Sequence, residues 1–280
     1  MPHPRSDVLV DRFIDDEDGF AQRGGETLVI GNRVLIHADG AMMPFRNSQF
    51  EYAIVSHVIE HIPPENIHQF VSELQRVALR GYVEAPSILY EAIRDTPEHF
   101  WYVVCERDTL HLCRKSSVSR WQPFFDPLFQ DGDFCSAVER HADLFFTGEE
   151  WEGQINLSTH HDLREMFDLY PAGWARQIVS RNLMMAARSN PFWKKVVRQL
   201  TPPLLPRIGQ WIFRRVASTI QRWTLRSRTI DWRDLVVCPY CHSDMQIDLD
   251  ARRMACMGCN RKYTIREDGI PSFMGPYITG

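Results

Sequence analysis

Apolar and polar positions along this chain change their rhythm several times, and each change marks an element. Residues 7–11 (DVLVD) form a short apolar run ending in an acid and read as a buried strand. TLVI (27–30) and RVLIHAD (33–39) follow as two more strand-like runs, the second ending at Asp39. Pro44 and Asn47 break the turn GAMMPFRNSQF, and EYAIVS (51–56) is a β-branched run of strand length. From Glu65 to Leu79 the apolar positions are Ile67, Phe70, Val71, Leu74, Val77 and Ala78, a helical spacing with Gly81 placed as its stop. YVEAPS (82–87) is the next strand. Residues 101–115 alternate on both sides of Arg107-Asp108 and read as a hairpin that closes the sheet. Strands alternating with helices argue for a parallel sheet covered by helices. Residues 117–160 are aromatic-rich and irregular. Residues 161–232 read as mostly helical, broken at Pro202, Pro203 and Pro206. Ile208, Trp211, Ile212, Val216, Ile220 and Trp223 line one face of the later helix, with Arg214, Arg215 and Arg222 off it.

Composition adds class and size. The chain has 280 residues, 44% of them apolar, which suits an ordinary globular domain with a small companion. No run of about eighteen apolar residues suggests a membrane-spanning helix. The net charge of −4 is mild but uneven. Leu169 to Ile230 holds twelve Lys and Arg and no Asp or Glu. That segment has three readings: a packed connector, an interfacial helix on an anionic membrane, or a contact for nucleic-acid phosphates.

The chemistry concentrates near the C-terminal end. Cys238-Pro-Tyr-Cys241 and Cys256-Met-Gly-Cys259 are two C-x-x-C pairs separated by fourteen residues. This spacing is a zinc-ribbon signature, because four thiolates satisfy a tetrahedral zinc ion. A segment of about fifty residues builds little core alone, and zinc contributes about 10–16 kcal/mol in comparable modules. Two disulfides or four idle thiols are the competing readings. The other three cysteines (Cys105, Cys113, Cys135) are scattered, and no signal peptide precedes them, so a reducing cytoplasm is the expected home, with membrane-peripheral contact through residues 169–230 as a variant.

The run from Asp39 to His61 resembles class I S-adenosylmethionine-dependent methyltransferases of the type-11 group, with a D-x-x-x-L-P-F…F-D-x-V-x-S-x-x-L-E-H core. Met43, Glu51 and Ile59 depart from its usual Leu, Asp and Leu. The C-terminal ribbon, with Tyr263 and Asp268-Gly269-Ile270-Pro271, resembles zinc-ribbon proteins that partner RNA and protein methyltransferases. The resemblance implies a Rossmann-like α/β domain over 1–160, a basic helical connector over 161–232 and a zinc ribbon over 233–280. It implies S-adenosylmethionine as cofactor. Asp11 would bind the ribose hydroxyls, Asp39 and Gly40 would meet the adenine, and Ser56 and His57 would line the methionine end and the acceptor mouth. The acceptor is open: a small metabolite, a sugar or lipid intermediate, RNA or a protein. The family's glycine-rich loop and first strand should precede residue 7, and Gly24-Gly25 follows the Asp11 strand instead. This favours a start upstream of Met1 over a scaffold that has lost its cofactor, or a zinc-ribbon binding module. His57-Val-Ile-Glu60-His61 matches the H-x-x-E-H protease pattern, but it runs into Pro63-Pro64, so Glu60 and His61 are expected to brace the loop. His160-His161-Asp162 is expected to be surface residues, since adjacent strand histidines point apart.

Overall fold

The computed structural model describes residues 6–15, 28–106, 108–116, 122–167, 169 and 230–275. The chain divides into two compact units, Met1–Pro171 with Ile230–Gly280, and Ala172–Thr229. The second unit lies outside the described residues, and with it most of the helical stretch expected over 161–232, including the apolar face from Ile208 to Trp223.

In the first unit β1 (Val8–Asp11) lies parallel to β2 (Val34–His37), with Asp11 opposite His37. The expected strand over 27–30 does not form at Leu28–Ile30. Gly31 turns the chain at φ +63°, and the Arg33 guanidinium donates to the carbonyls of Val29 and Ile30 at 2.7 Å each. A side chain thus satisfies groups that a strand would give to a ladder.

β3 (Phe50–Ser56) runs through a single 3-10 turn at Ile59–His61 into α1 (Ile67–Val77), and β4 (Ala78–Pro86) returns parallel to β3. Ile67, Phe70, Val71, Leu74 and Val77 bury one stripe of α1, as their spacing requires. Gly81 is not the stop of this helix. The chain becomes extended at Ala78, and Gly81 lies inside β4. A Cβ there would stand 2.3 Å from the Ala53 carbonyl oxygen and 2.8 Å from the Trp151 indole nitrogen. Close packing of strand and ring, rather than helix termination, demands the glycine.

α2 (Ile88–Arg94) is capped by Ser87 and leads to the hairpin of β5 (Trp101–Glu106) and β6 (Thr109–Arg114). The stretch expected to be irregular is folded. It holds α3 (Gln122–Phe125), α4 (Gly132–Arg140) with an Asp131 cap, α5 (Ala142–Phe145), β7 (Phe146–Glu152) and β8 (Asn156–His160). The hairpin does not close the parallel sheet. β7 does, antiparallel to β4, while β5 and β6 make a separate sheet with β8. α6 (Leu163–Phe167) follows. Among the described residues no helix is long and apolar enough to cross a membrane.

The cysteine-rich segment contributes β9 (Met245–Asp248), β10 (Arg253–Cys256), β11 (Lys262–Ile265) and β12 (Pro271–Ser272). It does not stand apart. Ser272 pairs with His37, so one six-stranded sheet runs β1-β2-β12-β11-β10-β9. Val236, Met254, Tyr263 and Phe273 share one buried cluster with Ile36, Ala38 and Phe45. The architecture is mixed α/β, and each of the three sheets holds parallel pairing: β1–β2 and β2–β12 in one, β3–β4 in the second and β6–β8 in the third.

Candidate functional site

Two groups of expected residues sit at the carboxyl ends of parallel strands, where open α/β sheets place ligands. Asp11 ends β1, and its Oδ1 accepts from the Phe13 amide at 2.8 Å. Asp39 follows β2. Its Oδ1 accepts from the Ala41 amide at 2.8 Å, and its Oδ2 pairs with Arg12 at 2.9 Å. Gly40 allows the chain to cross the Phe70 ring, because a Cβ there would lie 2.6 Å from it. Beside these acids lies a shallow cavity of about 250 Å³ lined by Arg12, Phe13, Ile14, Asp15, His37 and Met274. No motif marks Arg12, His37 or Met274, since the first two meet through the pairing of β1 with β2 and Met274 arrives with the cysteine-rich segment.

Ser56 and His57 end β3, on a different sheet from Asp11 and Asp39. Ser56 Oγ donates to Glu84 Oε1 at 3.1 Å. His57 turns the chain in the left-handed region at φ +55°, and its amide donates to the Glu84 carbonyl at 3.0 Å. Its ring stands edge-on to Phe146, with Nδ1 3.5 Å from Glu60 and Nε2 3.8 Å from Glu84. Burial alone pulls the His57 pKa down, but the two carboxylates outweigh it and hold it above the ordinary value.

The four cysteines converge. One Sγ from each of Cys238, Cys241, Cys256 and Cys259 lies within 4.8 Å of the others, with 3.2 Å for Cys241–Cys256 and 3.6 Å for Cys238–Cys259. Thiolates at about 2.3 Å from a tetrahedral zinc stand about 3.8 Å apart, so the donor set fits. All four are free of disulfides. The residue after each pair, His242 and Asn260, has φ of +56°, and its amide bonds back to the first cysteine's carbonyl. The Gly258 and Cys259 amides donate to Cys256 Sγ at 3.3 Å. Hydrogen bonds from Ser243 lower the Cys241 pKa to about 6, and burial raises that of Cys256 to about 12. Gly258 is required here, since a Cβ would stand 2.3 Å from Ser243 Oγ.

His160 is less exposed than the sequence suggested. Its ring packs inward against His111 at 3.0 Å, and its Nδ1 lies 3.1 Å from Glu165, while the neighbouring His161 is exposed.

A protein-family model described as a methyltransferase domain matches residues 18–82. No curated protein and no solved structure matches the chain. The matched segment takes in β2, β3, α1 and the first half of β4, so a methyltransferase-domain signature coincides with the parallel crossover and with Asp39, Gly40, Ser56 and His57.

Proposed function

We propose that this protein is an S-adenosylmethionine-dependent methyltransferase whose four-cysteine centre holds structural zinc. The observation that carries the reading is the family match over 18–82, which falls on the parallel crossover and on Asp39, while Asp11 lies before it. Asp11 and Asp39 supply carboxylates suited to a ribose diol and an exocyclic amine, both hydrogen-bond donors. The 250 Å³ cavity beside them is smaller than usual small-molecule pockets, which start at about 300 Å³, so it suits the nucleoside portion of the donor. The bound sulfonium supplies an electrophilic methyl, and the chain's task is alignment of an incoming nucleophile. Ser56 and His57 border the acceptor side in this reading, with His57 able to hold a proton between Glu60 and Glu84.

One observation favours a second reading, a binding module without turnover. Both Asp39 oxygens already have protein partners, Arg12 and the Ala41 amide. Calorimetric titration of S-adenosylhomocysteine into the zinc-loaded full chain separates the two. Saturable micromolar binding, weakened about tenfold to a hundredfold in Asp39→Ala by loss of charged hydrogen bonds, supports the enzyme. Absence of binding at millimolar ligand, with the zinc content confirmed, overturns it in favour of the binding module.

A further inference from the structure

Beyond the cysteine centre, a second cluster of donor atoms lies just past the Ser56-His57 bend. One ligand atom from each of Glu60, His61 and His99 falls within 4.8 Å of the others. Glu60 is 1% exposed, and neither of its carboxylate oxygens has a hydrogen-bond partner. His57 Nδ1, at 3.5 Å, is too far for a good hydrogen bond. The buried ammonium nearby is already taken, for Lys115 Nζ lies 2.7 Å from both Glu91 and Asp95. A carboxylate this buried without a hydrogen bond is costly, and the His57 ring at 3.5 Å offsets that cost only in part, so a bound cation is the simplest account of its placement.

The histidines are arranged to meet that cation. His61 Nδ1 faces the Glu98 carbonyl at 3.2 Å, and His99 Nδ1 faces Glu91 Oε1 at 2.5 Å. A carbonyl and a carboxylate only accept, so each Nδ1 carries the hydrogen and each Nε2 keeps its lone pair. A carboxylate or carbonyl behind the imidazole is the usual support of a metal-ligating histidine. Glu91 is itself fixed by Lys115, which sits over the Tyr102 ring. The two rings stand edge-on, 4.5 Å between centroids.

We propose that Glu60, His61 and His99 form a second metal site, for a first-row divalent cation, distinct from the four-cysteine centre. Two imidazoles and one carboxylate suit zinc or iron(II) better than magnesium or calcium. Bonds of about 2.0–2.2 Å place such donors about 3.3 Å apart, inside the 4.8 Å within which the three now lie. Three protein donors leave a position for solvent. The proposal stands whether or not the chain transfers methyl groups, because it uses no cofactor contact.

Zinc is the probe, since a nitrogen and oxygen site that takes a weaker first-row ion also takes zinc. The full chain is loaded with zinc and passed over chelating resin. Metal content and the zinc-edge absorption spectrum are then recorded. The expected result is two zinc ions per chain with a mixed sulfur, nitrogen and oxygen shell. Glu60→Gln and His99→Gln should each fall to one ion with an all-sulfur shell. That retained ion reports that the variant is folded, and Glu60→Gln, nearly isosteric, serves where His99→Gln does not fold. One ion in a nitrogen and oxygen shell upholds this site and removes the cysteine one. One ion in an all-sulfur shell for the unaltered chain, no ion at all, or unchanged stoichiometry in Glu60→Gln, overturns the proposal.

Discussion

At the scale of single residues, two glycines and one surface acid make the sharpest claims. Gly81→Ala forces a methyl against the Ala53 carbonyl, a backbone atom that cannot rotate away. The expected cost is about 3 kcal/mol, at the upper end of overpacking changes, read as a lower urea midpoint with unchanged slope. Gly258→Ala brings a methyl 2.3 Å from Ser243 Oγ and 2.9 Å from its Cβ, so the hydroxyl must rotate off Cys241 and the Ser243 side chain must shift. Its effect should appear in zinc retention more than in global stability. Asp15 gives a pH signature. The Arg266 guanidinium, by hydrogen bonding, holds its pKa below the ordinary 3.8. A depressed folded pKa means that the pair's contribution is complete above pH 3.8 and fades as pH falls through the lower folded value. The stability gap between the unaltered chain and Asp15→Asn should therefore close under acid. It should also shrink with added salt, since Asp15 is largely exposed. A gap constant from pH 6 to pH 2 would show that the pair contributes nothing.

At the scale of elements, α1 does more than cover a sheet. Glu73 and Arg76 from its last turns hold the loop before β3. Glu73 accepts from the Met43 amide at 2.7 Å, and Arg76 donates to the carbonyls of Phe45 at 2.6 Å and Met43 at 3.0 Å. That loop is where the cysteine segment docks: the Val237 amide donates to Pro44, Phe45 bridges Val236, and Gln49 donates to Leu235 at 3.0 Å. Arg76→Ala takes the Arg76 donor from the Phe45 carbonyl, and leaves the Met43 carbonyl only the Phe45 amide and Glu73 only the Met43 amide. We expect a loss of about 2–3 kcal/mol by chemical denaturation. Faster hydrogen exchange at both Met43–Gln49 and Val236–Val237 should accompany it. Exchange confined to the first segment would contradict this coupling.

The elements also show what a single sequence can reveal. The α1 stripe, the hairpin at 101–114 and the two C-x-x-C pairs were legible because each rests on spacing within a few residues. Gly81 was misread because its reason lies in Trp151, seventy positions away and unassigned from sequence. β7 and β8 were missed because Gly148, Glu149-Glu150 and Ser158-Thr159 break the apolar alternation, and their partners, β4 and β6, are distant in the chain. The acids at strand ends were found through family resemblance, whereas Arg12 on Asp39 and Met274 beside the cavity are outcomes of packing. His99 joins Glu60 and His61 only after α2 brings the chain back, so local spacing could not supply the third donor.

At the scale of the whole molecule, the shared sheet predicts that the cysteine centre stabilises more than its own segment. A Cys241→Ser, Cys259→Ser double substitution removes two donors of the proposed zinc centre, one exposed and one half-buried, and keeps side-chain size, so core packing is largely spared. Exchange protection should fall in β9 to β12 and also in β2, whose His37 receives the Phe273 amide and the Ser272 hydroxyl. The hairpin of β5 and β6 should keep its protection. Unchanged β2 would mean that the two parts fold independently despite their common cluster. Because only thiolates are altered, the test leaves Glu60, His61 and His99 intact.

The join between β2 and β12 also sets an order of events at the ribosome. Ser272 lies 235 positions after His37. At synthesis rates of about 5–20 residues per second, the β2 edge waits on the order of 10–50 seconds for its neighbour to be made. Through that interval the His37 carbonyl and imidazole wait for the Phe273 amide and the Ser272 hydroxyl, and the apolar side chains behind them wait for their cover. Stalled or prematurely ended translation products are therefore expected to aggregate more readily than the finished chain.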